Sequence, residues 1–336
     1  MALEKILKRF GIITMLISSL ILAIPSSDSQ AQHRRDNGSR RDTVPTLEEL
    51  TDQPRHHRKH KNPLTKYRFR GWRPVQANET IPIHNAIFIV RHETSKHYGG
   101  IKIKDMKGNH IAEKRAGDPF QFRWVGLEYL LFNTIENKSR YGGHVPVQLR
   151  DPNNIRTWKI LENTRNPELT FAHTYDRNLL LGVKESRKDH GGLVIYDQQG
   201  SRYKLRMGDP IKIARKRNAF FVFTHENHST HGGLYIVNQR TKRKVGRVPE
   251  PARVRPIFNE NLIFVGAKET SKAYGGVYVF DMKNHTNVYM HKSGDPFRVE
   301  RQGTLIRYTC SENSSKYGRI LLLDAKTGKK ISFERD

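Results

Sequence analysis

The chain has 336 residues, 60 Lys and Arg against 33 Asp and Glu, a formal net charge of +27 and one cysteine, Cys310. A lone cysteine excludes an internal disulfide, so stability must come from packing, for which a body of about 260 residues is long enough. Residues 73–336 alone carry +20, a field that attracts polyanions and repels cations at long range.

Residues 1–31 read as a secretory signal. Lys5, Lys8 and Arg9 form the charged start, residues 10–24 are an almost unbroken apolar run, and Ser29-Gln30-Ala31 offers small residues at a cleavage site. The run falls short of the roughly 20 apolar residues of a membrane span. Cleavage is the expectation, with a retained anchor as the alternative. Residues 32–72 hold 11 Lys/Arg and 5 Asp/Glu with little apolar periodicity, the composition of a disordered basic linker. Its densest run is Arg55, His56, His57, Arg58, Lys59, His60 and Lys61. This run is either a plain solvated segment or a polybasic tether for anionic polymer or lipid head groups. Imidazole protonation below about pH 6.5 would strengthen such a tether.

From residue 73 onward the chain repeats itself. Glu93, Glu136, Glu185, Glu226, Glu269 and Glu312 each stand six residues before a glycine, at spacings of 43, 49, 41, 43 and 43. The residue just before that glycine is Tyr98, Tyr141, His190, His231, Tyr274 or Tyr317. Short β-forming runs flank each loop, as in residues 261–265 and 276–280, and further runs follow at 288–290 and 297–299. Four short strands per unit of about 43 residues predict an all-β chain, a six-bladed β-propeller with four antiparallel strands per blade, over residues 73–336. First strands are expected at 80–83, 120–124, 169–172, 211–214, 252–255 and 297–300. The last unit finishes with its own strand at 330–333, so repeats and blades coincide. Closure would rest on blade six packing against blade one, helped by residues 67–72.

The segments Gly275–Asp281 and Ile320–Lys330 resemble repeats of the PQQ-like and TolB-type propellers, in which an apolar strand ends in Asp before a turn; Asp105, Asp197, Asp281 and Asp324 occupy that place. The resemblance extends over residues 80–336 at the level of the blade, and such blades serve many functions. The tryptophan usual at the end of PQQ-like repeats is absent, because Lys330 is followed by Ile331-Ser332-Phe333. No quinone or other cofactor is implied.

In a four-stranded blade the loop between strands two and three faces the same end as the connection into the next blade. The Glu-to-Gly loops and the Gly-Asp-Pro connections of Asp118, Asp209 and Asp295 therefore share one face. Each Glu either ties its loop and the next blade together or belongs to a ring of carboxylates presented to a ligand. The tyrosines either plug the loop from beneath or stack on sugar rings. His225, His228 and His231 crowd one loop and form a weak metal-ligand candidate. An insertion at residues 151–166, carrying Trp158, lengthens blade two and could cap a face.

No nucleophile elbow, zinc helix, phosphate loop or Cys–His pair is legible. The sequence points to an exported, secreted or periplasmic, monomeric and non-enzymatic binding or scaffold module. Its expected partner is an acidic polysaccharide, a cell-envelope polymer or a protein. Membrane contact would come only through an uncleaved N-terminal segment or the basic linker. A polysaccharide lyase or hydrolase is the alternative, and nucleic-acid or other polyanion binding a second.

Overall fold

Runs with apolar residues on both faces of the pleat must be covered on both sides, and four of the six sheets carry such runs at their centre. Tyr129–Ile135, Asn178–Val183, Ala219–His225 and Leu262–Ala267 are buried almost throughout. In the corresponding strands of the first and last sheets, Ala86–Arg91 and Leu305–Ser311, only alternate side chains are buried. The period-2 pleat sends those residues to one face.

The computed structural model describes residues 71–334 except 152, 167, 188, 272, 315 and 317. The expected signal, most of the linker, the Arg55–Lys61 tether and Tyr317 lie outside the described residues. The strands form six antiparallel sheets in chain order. Sheet one is Thr80–Ile83, Ala86–Arg91, Gly100–Asp105 and His110–Arg115. Sheet two is Asp118–Val125, Tyr129–Ile135, Gly143–Gln148 and Lys159–Ile160, and sheet three is Leu169–Tyr175, Asn178–Val183, Gly192–Tyr196 and Arg202–Arg206. Sheet four is Asp209–Lys216, Ala219–His225, Gly233–Asn238 and Lys244–Val248. Sheet five is Ile257–Asn259, Leu262–Ala267, Gly276–Asp281 and Thr286–Lys292, and sheet six is Asp295–Gln302, Leu305–Ser311, Ile320–Asp324 and Lys330–Glu334. Repeats and sheets coincide. Among the described residues the only helical turn is the 3-10 segment Ile155–Thr157, and no helix is long and apolar enough to cross a membrane.

Hydrophobic clusters fill each of the five interfaces between consecutive sheets. Between sheets one and two, the rings of Phe88 and Phe132 stack with centroids 6.1 Å apart. Fully burying one such side chain contributes about 1.5–3 kcal/mol. Sheets one and six share no such cluster among the described residues. Their outward faces carry ion pairs instead, Arg91–Glu113 at 3.2 Å in the first and Arg307–Glu300 at 3.3 Å in the last.

Three local expectations need correction. Residues 252–255 are not the first strand of sheet five, which is the three-residue Ile257–Asn259. Pro251 and Pro256 flank the expected segment and cannot donate a ladder hydrogen bond. The chain ahead of sheet one lies against sheet two. Of residues 67–72 only 71 and 72 are described: Trp72 packs into the cluster between sheets two and three, and the following Arg73–Pro74 pairs with Phe122 and Gln121. The insertion in sheet two turns its tryptophan inward, while residues 151, 153, 154, 156 and 159 stay exposed. Trp158 is 3% exposed, its indole N–H donates to the Asp151 carbonyl at 2.8 Å, and its ring meets Phe88 at 5.9 Å.

Candidate functional site

All six Glu-to-Gly loops share one turn. The N–H of the residue after each Glu donates to the carbonyl three residues on: Thr94 to His97, Asn137 to Arg140, Ser186 to Asp189, Asn227 to Thr230, Thr270 to Ala273 and Asn313 to Lys316, at 2.8–3.0 Å. The paired glycines that follow have separate causes. Gly100 has φ +139, and a Cβ there would lie 2.1 Å from the Lys114 carbonyl oxygen. A Cβ on Gly99 would lie 2.3 Å from Asp118 Oδ1, so this glycine makes room for an aspartate arriving from the next sheet.

That aspartate is the centre of a clasp that occurs three times. Asp118 Oδ1 accepts the Glu93 N–H at 2.8 Å and the Asn137 side-chain N–H at 2.7 Å. Asp209 does the same with Glu185 at 2.8 Å and Asn227 at 2.8 Å. Asp295 does so with Glu269 at 2.8 Å and Asn313 at 3.0 Å. The Glu side chain then crosses to the neighbouring loop, where its carboxylate accepts both N–H and O–H of one serine: Ser139 for Glu93, Ser229 for Glu185, and Ser314 for Glu269. The Ser229 hydroxyl in particular holds the Glu185 carboxyl below its ordinary range, an effect opposed by desolvation. The clasp joins sheet one to two, three to four, and five to six, so the chain repeats in two-sheet units.

The six glutamates therefore fall into two groups. Glu93, Glu185 and Glu269 are half-buried in clasps, whereas Glu136, Glu226 and Glu312 are exposed. The loop tyrosines are not plugs. Tyr98, Tyr141 and Tyr274 are 50%, 50% and 49% exposed. Arg115 Cζ stands 3.9 Å from the Tyr98 ring centroid and Lys292 Nζ 3.4 Å from that of Tyr274. The register explains both contacts, because Arg115 and Lys292 pair directly with Gly100 and Gly276, the glycines that follow each loop. A cation on one ring face draws on the ring quadrupole and leaves the remaining surface for a ligand. In sheets three and four the equivalent places belong to His190, whose Nδ1 lies 3.1 Å from the Ser229 hydroxyl, and His231, whose Nδ1 lies 3.2 Å from Glu226 Oε1.

His225, His228 and His231 do not converge; among the described residues no three His, Cys, Asp or Glu are placed to hold a metal ion. Cys310 is buried inside sheet six, and burial pushes its thiol up to about 11. The cationic partners Arg115 and Lys292 were missed at the sequence level. They lie on the fourth strand, and only the pairing of third and fourth strands brings them beside the tyrosines.

No family model matches this sequence, and no curated protein matches it. Among solved structures the chain is similar to apo AztD from Citrobacter koseri, at 13% identity and TM-score 0.30 over 76% of this chain and 71% of that one. It is similar to BamB from Moraxella catarrhalis at 11% identity and TM-score 0.26, covering 79% and 78% of the two chains. The β-propeller domain of the Trilobed protease from Pyrococcus furiosus gives 11% identity and TM-score 0.25 over 77% and 82%. The likeness is to β-propellers, at the level of the blade.

Proposed function

We propose that the protein is an exported, non-catalytic binding propeller that holds an acidic glycan or envelope polymer on the face bearing the Glu-to-Gly loops. One observation carries this reading: a half-exposed tyrosine recurs at the same loop position, with a cation on its ring in sheets one and five. An aromatic surface suits the apolar face of a sugar ring, and an adjacent cation suits a carboxylate or sulfate on that sugar. The exposed Glu136 and Glu312 can accept sugar hydroxyls. The clasped Asp118, Asp209 and Asp295 hold the loops and are reached by ligand only at the rim.

In this reading six blades of about 43 residues close into a ring, with the loop of sheet six meeting that of sheet one. Three clasped two-sheet units favour such a closure, since each unit offers the next an exposed Glu loop. The test is calorimetric titration with polygalacturonate against neutral dextran. Tyr98→Ala and Tyr274→Ala should each weaken polyuronate binding by roughly 2- to 5-fold, the scale of an exposed cation–π site. Binding left intact by both changes, or equal capture of dextran, would refute the assignment.

A further inference from the structure

We propose that the ligand is a linear acidic polysaccharide lying along a continuous cationic track on the rim of sheets one to four, contacted at several points at once. The proposal rests on the binding function above and names the chain form of its ligand.

The track begins in a cleft of about 450 Å³ between sheets one and two, lined by Lys114, Arg115, Arg140, Tyr141 and Arg165. Its one carboxylate, Glu162, is engaged by Arg202 of sheet three at 2.7 Å. Among the described residues Lys114, Arg140 and Arg165 form no ion pair. From Arg165 the track passes to Lys204 and Arg206, on the fourth strand of sheet three. Lys204 loses proton affinity through burial first, and then through the charges of Arg165 and Arg206. It passes next to the fourth strand of sheet four, where the Lys244 ammonium donates to the Arg206 carbonyl at 3.5 Å. Burial, Arg247 and Arg206 lower Lys244 in the same way. Asp189 offsets Lys204, and Arg206 and Lys244, joined through the Arg206 carbonyl, keep this stretch cationic.

A small anion reaches two or three of these groups. A polymer reaches all of them, and each added contact acts at the high effective concentration set by the last. The sugar rather than the nucleotide is indicated by what stands between the cations. Half-exposed Tyr141 offers a ring, while Asn163 and the Glu162 carboxylate offer acceptors for hydroxyl donors. A deoxynucleotide chain brings few hydroxyl donors to such acceptors, whereas each uronate unit brings several.

The experiment uses the full chain and galacturonate oligomers of increasing length, followed by calorimetry. Between the disaccharide and an oligomer able to cross four sheets, affinity should rise by roughly 100-fold, and it should fall steeply with added salt. The double change Arg140→Gln with Arg165→Gln should remove about 10-fold of the long oligomer's affinity and flatten its dependence on salt. Affinity independent of length would overturn the track in favour of a single-anion site. Equal or tighter binding of a charge-matched single-stranded oligonucleotide would overturn the choice of polysaccharide. Length-dependent binding that ignores Arg140 and Arg165 yet is lost in Tyr274→Ala would reject the track and keep the binding function. Failure of every uronate polymer to bind would reject both.

Discussion

Replacing Asp209 by alanine removes the acceptor on which two loops converge. The Glu185 N–H and the Asn227 amide each donate to Asp209 Oδ1 at 2.8 Å. A hydrogen bond to a charged partner contributes about 1.5–3 kcal/mol. The site is half-buried, and water can replace part of what is lost, so the lower end applies to both bonds and the expected cost is about 3 kcal/mol. Asp209→Asn keeps an acceptor oxygen in the same place without its charge and should cost about 1 kcal/mol. At about 2–4 °C per kcal/mol for a domain of this size, calorimetric melting should fall by roughly 6–12 °C for alanine and 2–4 °C for asparagine. Asn227→Ala combined with Asp209→Ala should be non-additive by about 0.5–3 kcal/mol, because the two share one bond. Equal costs for alanine and asparagine, or strict additivity, would refute the clasp as a joint between sheets.

Burial lowers the proton affinity of His173, helped by the charge of Arg123, and lowers that of His291 and His84 as well. The native state keeps these rings neutral while the unfolded chain protonates them near 6.5, so their stabilisation is present above that pH and declines as pH falls through it. Melting temperature should drop between about pH 7.5 and 5.5, and His173→Gln should flatten the slope; a rise toward acid would contradict the assignment. Cys310, buried and with its thiol pushed up to about 11, should resist thiol reagents at about pH 8 until denaturant is added. If the ring closes, small-angle scattering in solution should fit a closed six-bladed disc; a profile of an open arc would oppose closure.

Most strands were legible because the apolar runs are short, regular and separated by glycine turns, and the strand at 80–83 matches the structure at both ends. The expected first strand at 252–255 failed although Ala252 and Val254 are buried: the chain meets the second strand of sheet five only around Pro251–Ala252, and the regular ladder begins after Pro256, at Ile257. The two-sheet unit was written in the chain but not apparent as a period. Gly-Asp-Pro occurs only before sheets two, four and six, and Asn follows the repeated loop Glu only in those same sheets. Each signal alone has a local explanation, a strand start for one and a polar turn for the other. Their meaning lies in a hydrogen bond between residues 18 or 19 positions apart, which no local pattern exposes. The cation–tyrosine contacts were hidden for a similar reason, since cross-strand register decides which side chain stands over which ring.

Under the proposed function, alternation of the glutamates lets one repeated loop serve two purposes. A ring of loops that all faced ligand would have no fixed geometry, because an exposed loop carries few contacts to hold it. Glu93, Glu185 and Glu269 turn sideways into the neighbouring serine, and the aspartate beneath fixes the backbone at the same place. In sheets one and five the loop is thereby held without using its tyrosine, which stays outward beside a cation set by the adjoining strand. Holding and presenting are assigned to different residues of the same nine-residue segment. A substitution in the clasp should thus act on melting first and on ligand capture only through loss of order, whereas a substitution at Tyr98 or Arg115 should act on capture alone.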